Sequence, residues 1–324
     1  MCAPPPTLSP PVLHPSFPTH AGSVVLAAPA KLNLYLDITG KRPDGYHALE
    51  TLMVAIDLFD TLELRATDGG AVTLDCDPPG LPTGPDNLVV KAALKLREHT
   101  NRLDLGAAVR LTKRIPAQAG LAGGSSDAAA TLLGLNQIWK LHLPKPELAT
   151  VAAAVGSDVA FFLDLPAAWC TGRGEVVTPV ALPGPLHFVL VCPPVGLGTA
   201  DVYRALPPLA ASHAPPLRSA DPASRLNEIR SKLADPAALG AALFNRLQEP
   251  AFGLAPPVEV VYRRLRSLGP LGCLMSGSGS SVFALCRDRA DAARLAAAVR
   301  AATPPGEPES RVLVVQSLPP IAPG

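Results

Sequence analysis

The amino-acid sequence predicts an α+β protein of two domains. Its 324 residues exceed what one simple hydrophobic core usually holds, and the length fits two domains of roughly 150 residues each. Strand-like and helix-like segments occur in runs, without the strict alternation of a doubly wound sheet, which is typical of α+β proteins. With 48% hydrophobic residues, the chain can bury a sizeable core. We place the domains at 23–178 and 179–324, after a proline-rich tail over 1–22.

The tail and the overall charge exclude several classes of protein. Proline is dense over residues 1–22 and disrupts helices and sheets, so we expect a disordered tail and not a signal peptide. No apolar run reaches the ~18 residues of a membrane helix. The formal net charge of +1 lacks the basic excess that nucleic-acid binding needs. Six cysteines without a C-x-x-C pair predict reduced thiols in a cytoplasmic protein. The expected partner is a small molecule, with no nucleic acid and no membrane.

The first domain opens with strands. SVVLAAPAKLNLYLDITG and HALETLMVAIDLFDTLELRA carry the apolar runs and alternation of strands, and KRPDGYH between them is typical of a turn. AVTLDC extends this β-rich opening. Asp86 is the predicted N-cap of a helix over NLVVKAALKLREHT. A strand over GAAVRLTKRIP, a helix after the glycine-rich AGLAGGSSD and a short helix from Glu147 to Val155, ended by Gly156, follow.

The second domain begins after a Pro- and Gly-rich stretch around VTPVALPGP. The apolar segments HFVLVCPP, GCLMSGSGSSVFALC and RVLVVQSL predict strands. Apolar residues at helical spacing predict helices over PAALGAALFNRLQEPAF (236–252), EVVYRRLRSL and RADAARLAAAVRAA. The Pro/Ala-rich residues 205–222 are expected to form a loop.

The segment PAQAGLAGGSSDAAA (116–130) is the strongest functional signal. Its glycines permit a tight loop, Ser125 or Ser126 can cap the helix that follows, and the free N–H groups of the first turn suit phosphates. No lysine follows the glycines as a Walker A loop requires, and the spacing is not G-x-G-x-x-G. Neither serine has the flanking glycines of a hydrolase elbow. A flexible loop before an ordinary helix is the structural alternative.

Two charged residues stand in apolar surroundings. Lys31 lies in APAKLNL, and Asp158 lies in VGSDVAFF. Taken alone, Lys31 fits a solvated strand end and Asp158 fits a helix cap. Phosphoryl transfer would use both, because a carboxylate can take the acceptor's proton while an ammonium stabilises the transferring group.

At this point the sequence resembles the GHMP kinase family. APAKLNL, P-x-x-x-GLAGGSSDAA, GSD and the late SGSGSS (276–281) occur in the family's order, from about residue 24 onward. The resemblance implies a two-domain α+β fold: a ribosomal S5 domain 2-like N-terminal domain, a ferredoxin-like C-terminal domain and an active site between them. It also implies ATP and Mg²⁺ as cofactors, Asp158 as base and Lys31 as its electrostatic partner. The cofactor-binding residues implied are Asn87, Lys113, Pro116, Ala117, Gln118, Ala119, Gly120, Leu121, Ala122, Gly123, Gly124, Ser125 and Ser126.

DGYH (44–47) and DNL (86–88) narrow the resemblance to GHMP kinases of the non-mevalonate isoprenoid pathway, which phosphorylate a cytidine diphosphate conjugate of methylerythritol. These enzymes hold cytosine between aromatic rings and read it with a histidine. The resemblance therefore implies Tyr46 and His47 at the base, Tyr203 as the second ring, and Asn33 and Thr199 near hydroxyls or phosphates.

Two positions depart from the family pattern, and two other functions remain open. Gln118 and Ala122 stand where relatives often carry glycine, which leaves the conformation of the loop in question. The chain could be another GHMP kinase of the homoserine or mevalonate type, against which DGYH argues. It could also be a non-catalytic ligand-binding protein of this fold, against which the retained Lys31 and Asp158 argue. No carboxylate cluster in the sequence identifies magnesium ligands.

Overall fold

A computed structural model describes residues 22–208, 215–217, 219 and 221–320, and these residues form two β-sheets with helices on both. The predicted tail lies outside the described residues, apart from Gly22. The first sheet contains β1 (Ser23–Lys41), β2 (His47–Thr67), β3 (Val72–Asp77), β4 (Gly106–Thr112), β5 (Ala167–Thr171), β6 (Val176–Pro179) and β8 (Phe244–Asn245). The second contains β7 (His187–Cys192), β9 (Gly272–Met275), β10 (Val282–Cys286) and β11 (Arg311–Gln316).

The helices follow the same chain order. They are α1 (Leu88–Thr100), α2 (Gly123–Ile138), α3 (Lys145–Val155), α4 (Thr199–Arg204), α5 (Pro222–Arg230), α6 (Pro236–Ala241), α7 (Gln248–Leu254), α8 (Pro256–Ser267) and α9 (Arg289–Ala301), with a 3₁₀ turn over Ala160–Leu163. None of the helices in the described part of the chain combines the length and the hydrophobicity of a membrane-spanning segment.

The first sheet is built around a long antiparallel hairpin of β1 and β2. Its strand order is β3-β4-β2-β1-β8, and β5 and β6 extend from β2. Helices α1, α2 and α3 share one apolar core with one face of this sheet. The three alanines after the glycine segment (128–130) are fully buried there. These small side chains allow α2 to pack closely against the sheet, which brings its N-terminus close to the centre of β1.

The second sheet is antiparallel, with the order β11-β7-β10-β9. Numbered along the chain this order is 4-1-3-2, and with α8 and α9 as crossover helices it gives the predicted ferredoxin-like domain. Side chains along β7 alternate between two cores, because successive residues of a strand point to opposite faces. Phe188 and Leu190 face the first sheet, whereas Val189 and Val191 face α8 and α9.

Strand pairing and ion pairs join the two halves of the chain. The short strand β8 belongs to the second half but pairs in parallel with β1 in the first sheet. Two ion pairs with little solvent exposure also join the halves, Glu50 with Arg225 and Asp37 with Arg246. The domain boundary at 178/179 stays a prediction, and strand β6 runs across it.

Several local predictions are wrong in detail. The N-cap of α1 is Asn87 and not Asp86, because the Asn87 side chain accepts a hydrogen bond from the Val89 N–H. Helix α2 starts at Gly123 after a left-handed Ala122, so Ser125 and Ser126 lie inside its first turn and do not cap it. The single helix expected over 236–252 is two helices, α6 and α7, separated by β8. Pairing with β1 outweighs the local helical preference of this segment.

Candidate active site

A cavity of about 1420 Å³ opens between the glycine segment, β1 and the loops of the second half. Every residue predicted for the site lines this cavity except Ser126. Ser126 is buried instead, and its hydroxyl has no hydrogen-bond partner among the described residues. The fold thus collects side chains that are spread over more than 170 positions of sequence, from Lys31 to Tyr203.

Lys31 and Asp158 approach each other in the wall of the cavity. The Lys31 ammonium lies 3.8 Å from Asp158 Oδ2; the lysine side chain is 3% exposed and that of Asp158 is 32% exposed. Burial lowers the pKa of Lys31, and the negative charge of Asp158 opposes this shift. Lys31 also donates to the Gly120 carbonyl oxygen at 2.9 Å and to Asn33 Oδ1. The Lys31 ammonium is therefore buried and fixed by these contacts, and it is not the solvated charge at a strand end that its local sequence allowed.

The glycine segment lies between the two halves of the molecule. The Leu121 carbonyl accepts from the Lys31 N–H at 3.1 Å, and the Ala119 carbonyl accepts from the Ser281 N–H at 3.1 Å. Gln118 and Ala122, the two positions expected to depart from the family pattern, both adopt left-handed conformations, with φ of 51° and 53°. The loop therefore keeps a glycine-like backbone despite these side chains, at a conformational cost of about 1–2 kcal/mol per residue.

At Gly120 the backbone of the glycine segment comes so close to the backbone of Ser276 that no side chain fits between them. The φ of Gly120 is +73°, and a Cβ there would overlap the Ser276 carbonyl oxygen. The Gly120 carbonyl accepts from both Lys31 Nζ and Ser276 Oγ, at 2.9 and 3.0 Å. The SGSGSS segment forms the connection between β9 and β10, and a Cβ at its Gly277 would lie 3.1 Å from Lys31 Nζ.

Lys113 lies behind the start of α2 between two buried carboxylates. It forms ion pairs with Asp60 and, at 2.7 Å, with Asp127. Asp60 also accepts from the backbone N–H groups of Arg114 and Ile115, which fixes the chain where β4 leads into the glycine segment. Burial raises the pKa of Asp127 to about 7. The negative charge of Asp60 adds to this shift, and the positive charge of Lys113 opposes it. Lys113 thus has a structural role that the sequence did not indicate.

Asn87 combines a helix cap with a place in the cavity wall. Its side chain caps α1 and donates to the Pro82 carbonyl at 2.8 Å. These bonds tie the loop before α1 to the start of that helix, and Pro82, Asp86 and Leu88 line the cavity beside Asn87.

Aromatic side chains occupy the opposite end of the cavity. The rings of His47 and Tyr203 lie 5.2 Å apart with an angle of 35° between their planes. Tyr46 is 54% exposed, and the Arg173 guanidinium lies 4.8 Å from the centre of its ring. The Thr199 hydroxyl is within 3.0 Å of the Ser278 hydroxyl. His47 and Tyr203 are therefore brought together, whereas Tyr46 instead contacts Arg173.

Asp60, Thr51 and Arg173 were missed in the sequence. Asp60 and Thr51 lie within the long strand β2, where single polar residues are common and no motif marks them. Arg173 lies in the turn between β5 and β6. For Asp60 the available signal was a charged residue in an apolar strand, which is also the signal that identified Lys31.

Comparison with known proteins agrees with this geometry. Residues 87–170 match the family described as GHMP kinases N terminal domain, and residues 226–304 match GHMP kinases C terminal. The 4-diphosphocytidyl-2-C-methyl-D-erythritol kinase of Shouchella clausii is 41% identical over 260 residues, which cover 80% of this chain and 84% of the relative. The chain belongs to the 4-diphosphocytidyl-2-C-methyl-D-erythritol kinases of the GHMP kinase family.

Other relatives agree with this assignment. The enzyme of the same name from Geobacillus thermodenitrificans is 42% identical over 259 residues, 80% of this chain and 86% of the relative. A crystal structure of 4-(cytidine 5'-diphospho)-2C-methyl-D-erythritol kinase superposes with a TM-score of 0.72 at 35% identity, covering 91% of this kinase and all of that chain. Homoserine kinase from Cytophaga hutchinsonii gives a TM-score of 0.70 at 21% identity, over 92% of this kinase and 96% of its own chain. At that identity the likeness shows the fold alone.

Proposed function

We propose that this kinase transfers the γ-phosphoryl group of ATP to the 2-hydroxyl of 4-diphosphocytidyl-2-C-methyl-D-erythritol, a step of the non-mevalonate isoprenoid pathway. The observation that carries the proposal is the buried Lys31 ammonium, held beside the Asp158 carboxylate in one cavity with a phosphate-type loop and an aromatic end. A binding protein has no need for such a base, which argues against a non-catalytic role.

In the proposed reaction, the acceptor oxygen attacks the γ-phosphorus while the bond from that phosphorus to the oxygen of ADP breaks. Asp158 takes the proton that the hydroxyl loses. Lys31 offsets charge on the moving phosphoryl group, which matters because phosphoryl transfer depends mainly on positioning and electrostatic stabilisation. Burial of Lys31 strengthens its interaction with that charge, since the local dielectric is low.

The nucleotide phosphates would lie against the first turn of α2. Backbone N–H groups at a helix start attract anions, and the segment 116–126 leads directly into that turn. Asn87 and Lys113 lie near the same part of the cavity and would face the nucleoside.

We propose Mg²⁺ as a companion of ATP. Among the described residues, no group of three or more His, Cys, Asp or Glu side chains could hold a metal ion. The proposal rests on the chemistry of ATP, since magnesium is commonly bound by substrate phosphates and water with one or two carboxylates.

The acceptor would take the aromatic end of the cavity. His47 can pair with the edge of a base, and the rings of Tyr46 and Tyr203 can stack on its faces for about 1–3 kcal/mol each. Asn33 and Thr199 also line the cavity and would approach hydroxyls or phosphates of the acceptor. A cytoplasmic location agrees with the free cysteine thiols of the described residues.

Replacement of the base tests the mechanism. We expect Asp158→Asn to lower kcat by about 10²–10⁴-fold, the usual contribution of a positioned base, with ATP affinity retained. Asp164→Asn is the matched control, because Asp164 pairs with Lys145 outside the cavity. Activity of Asp158→Asn within a few-fold of wild type, in an assay of ADP release with the cytidine diphosphate substrate, would remove Asp158 from the mechanism. Homoserine and mevalonate, tested in parallel, would reveal a different acceptor.

A further inference from the structure

A chain of buried hydrogen bonds leads from the catalytic lysine into the first sheet. Lys31 donates to Asn33 Oδ1. The Asn33 amide nitrogen donates to Thr51 Oγ1 at 2.8 Å. Thr51 Oγ1 in turn donates to the Tyr35 carbonyl oxygen at 2.7 Å. The side chains of Lys31, Asn33 and Thr51 are at most 3% exposed, so solvent has little access to this chain of bonds.

The direction of this chain is determined at both ends. The Tyr35 carbonyl can only accept, so the Thr51 hydroxyl must give it its single proton. Thr51 Oγ1 is then an acceptor toward Asn33 and selects the NH₂ side of the amide. The carbonyl side of Asn33 consequently faces Lys31, whose ammonium can only donate. A rotated amide would place two donors against each other at Lys31.

We propose that Thr51 is a positioning residue of this kinase: its hydroxyl fixes the amide orientation of Asn33, which in turn holds the Lys31 ammonium at the reacting phosphoryl group. The inference rests on the proposed role of Lys31. It assigns Asn33 a function inside the protein, in addition to any contact with substrate. It assigns Thr51 no contact with ATP or acceptor, although Thr51 lies in the cavity wall.

The surroundings of Lys31 determine the sign of the expected pH effect. In the described part of the chain, the titratable groups acting on it are Asp158 and the Cys170 thiol, whose pKa is raised by burial. The thiol therefore stays neutral, and Asp158 provides the opposing charge. Because burial already lowers the pKa of Lys31, loss of the Asn33 oxygen would lower it further. Activity requires the ammonium, so it would be lost at lower pH than in the wild type.

The test compares kcat over a range of pH for Thr51→Val and Thr51→Ser. Thr51→Val keeps the shape and removes the hydroxyl; we expect kcat to fall about 10- to 100-fold, the size of a lost hydrogen bond to a charged group. Its high-pH limb should also shift downward. Thr51→Ser retains the hydroxyl and should restore the wild-type pH profile. Thr131→Val is the matched control, because the buried Thr131 hydroxyl likewise donates to a backbone carbonyl, that of Asp127, at 2.8 Å. Its pH profile should not shift.

Each outcome decides the proposal. An unshifted limb in folded Thr51→Val, or a shifted limb in Thr51→Ser, overturns it. A raised acceptor KM with unchanged kcat and pH profile also overturns it, because Thr51 would then be a substrate contact. If the valine variant does not fold, Thr51→Ala removes the same hydroxyl without adding a methyl group next to the amide. Lys31→Ala separates the two ideas: an active Lys31→Ala refutes the proposed mechanism, whereas an inactive one with an unshifted Thr51→Val refutes only the role of Thr51.

Discussion

Gly120→Ala tests whether the nucleotide loop must touch the SGSGSS segment. A Cβ at Gly120 would overlap the Ser276 carbonyl oxygen and lie 3.0 Å from its carbonyl carbon and 3.1 Å from the Gly279 nitrogen. All three atoms belong to the backbone, so no side-chain rotation can relieve the overlap. The two segments would have to separate, and alanine would also have to adopt the left-handed conformation with φ near +73°.

The size of the effect follows from these two costs. A left-handed alanine costs about 1–2 kcal/mol, and overpacking of a close contact costs about 1–3 kcal/mol. We therefore expect the free energy of unfolding to fall by roughly 2–5 kcal/mol. Separation also moves the Gly120 carbonyl, which accepts from Lys31 at 2.9 Å and from Ser276 at 3.0 Å. A displacement of about 1 Å in catalytic geometry can cost ~10²-fold, so kcat should fall by about that factor.

Steady-state kinetics, titration calorimetry with ATP and urea unfolding measure these quantities. Gly253→Ala is the control, because Gly253 lies in helix α7 with no atom within 4 Å of the added Cβ. It should keep full activity and lose no stability. A folded Gly120→Ala variant with wild-type kcat and ATP affinity would refute the claim that this close approach positions Lys31.

Two further predictions concern the ends of the cavity. Wild-type protein, with its ATP site filled by a non-hydrolysable analogue, should bind CDP more tightly than UDP, because unmatched buried polar groups cost about 1–3 kcal/mol each. His47→Ala should remove this preference and leave the KM for ATP little changed; equal affinities in the wild type would contradict the cytidine assignment. At the other end, burial raises the pKa of Asp127 from 3.8 to about 7, so its contribution to stability is present at low pH and lost as pH rises through that range. Asp127→Asn should therefore gain stability relative to wild type as the pH rises from about 4 to about 7 in urea unfolding, and a relative loss would contradict the raised pKa.

Local sequence was sufficient for much of the site. The glycines of 116–126 and the charges at Lys31 and Asp158 stand out against apolar neighbours, and the cavity brings them together. Strand and helix periodicity likewise predicted most of the elements of both sheets. These features depend on residues that are close in sequence, where pattern and propensity are informative.

Long-range packing determines what the sequence could not predict. Strand β8 forms because Phe244 and Asn245 meet β1, about 200 residues earlier, and nothing in PAALGAALFNRLQEPAF indicates that partner. Asn245 is then held by bonds to the Met275 and Gly277 carbonyls. Asp60 and Thr51 acquire their roles only when β2 places them beside Lys113 and Asn33. The left-handed Ala122 similarly follows from packing of the loop, since alanine has no local preference for that conformation.

The pairing of β8 with β1 has a consequence for how this kinase can be divided. A fragment that ended near residue 178 would lack β8, and the N–H and C=O groups of β1 that it covers would be exposed, together with the apolar side chains that now meet Phe188 and Phe283. Open strand edges and uncovered apolar surface favour aggregation. The carboxylates of Glu50 and Asp37 would also lose their arginines. We therefore expect the two halves of the chain to melt in a single calorimetric transition and not to function when expressed as separate pieces.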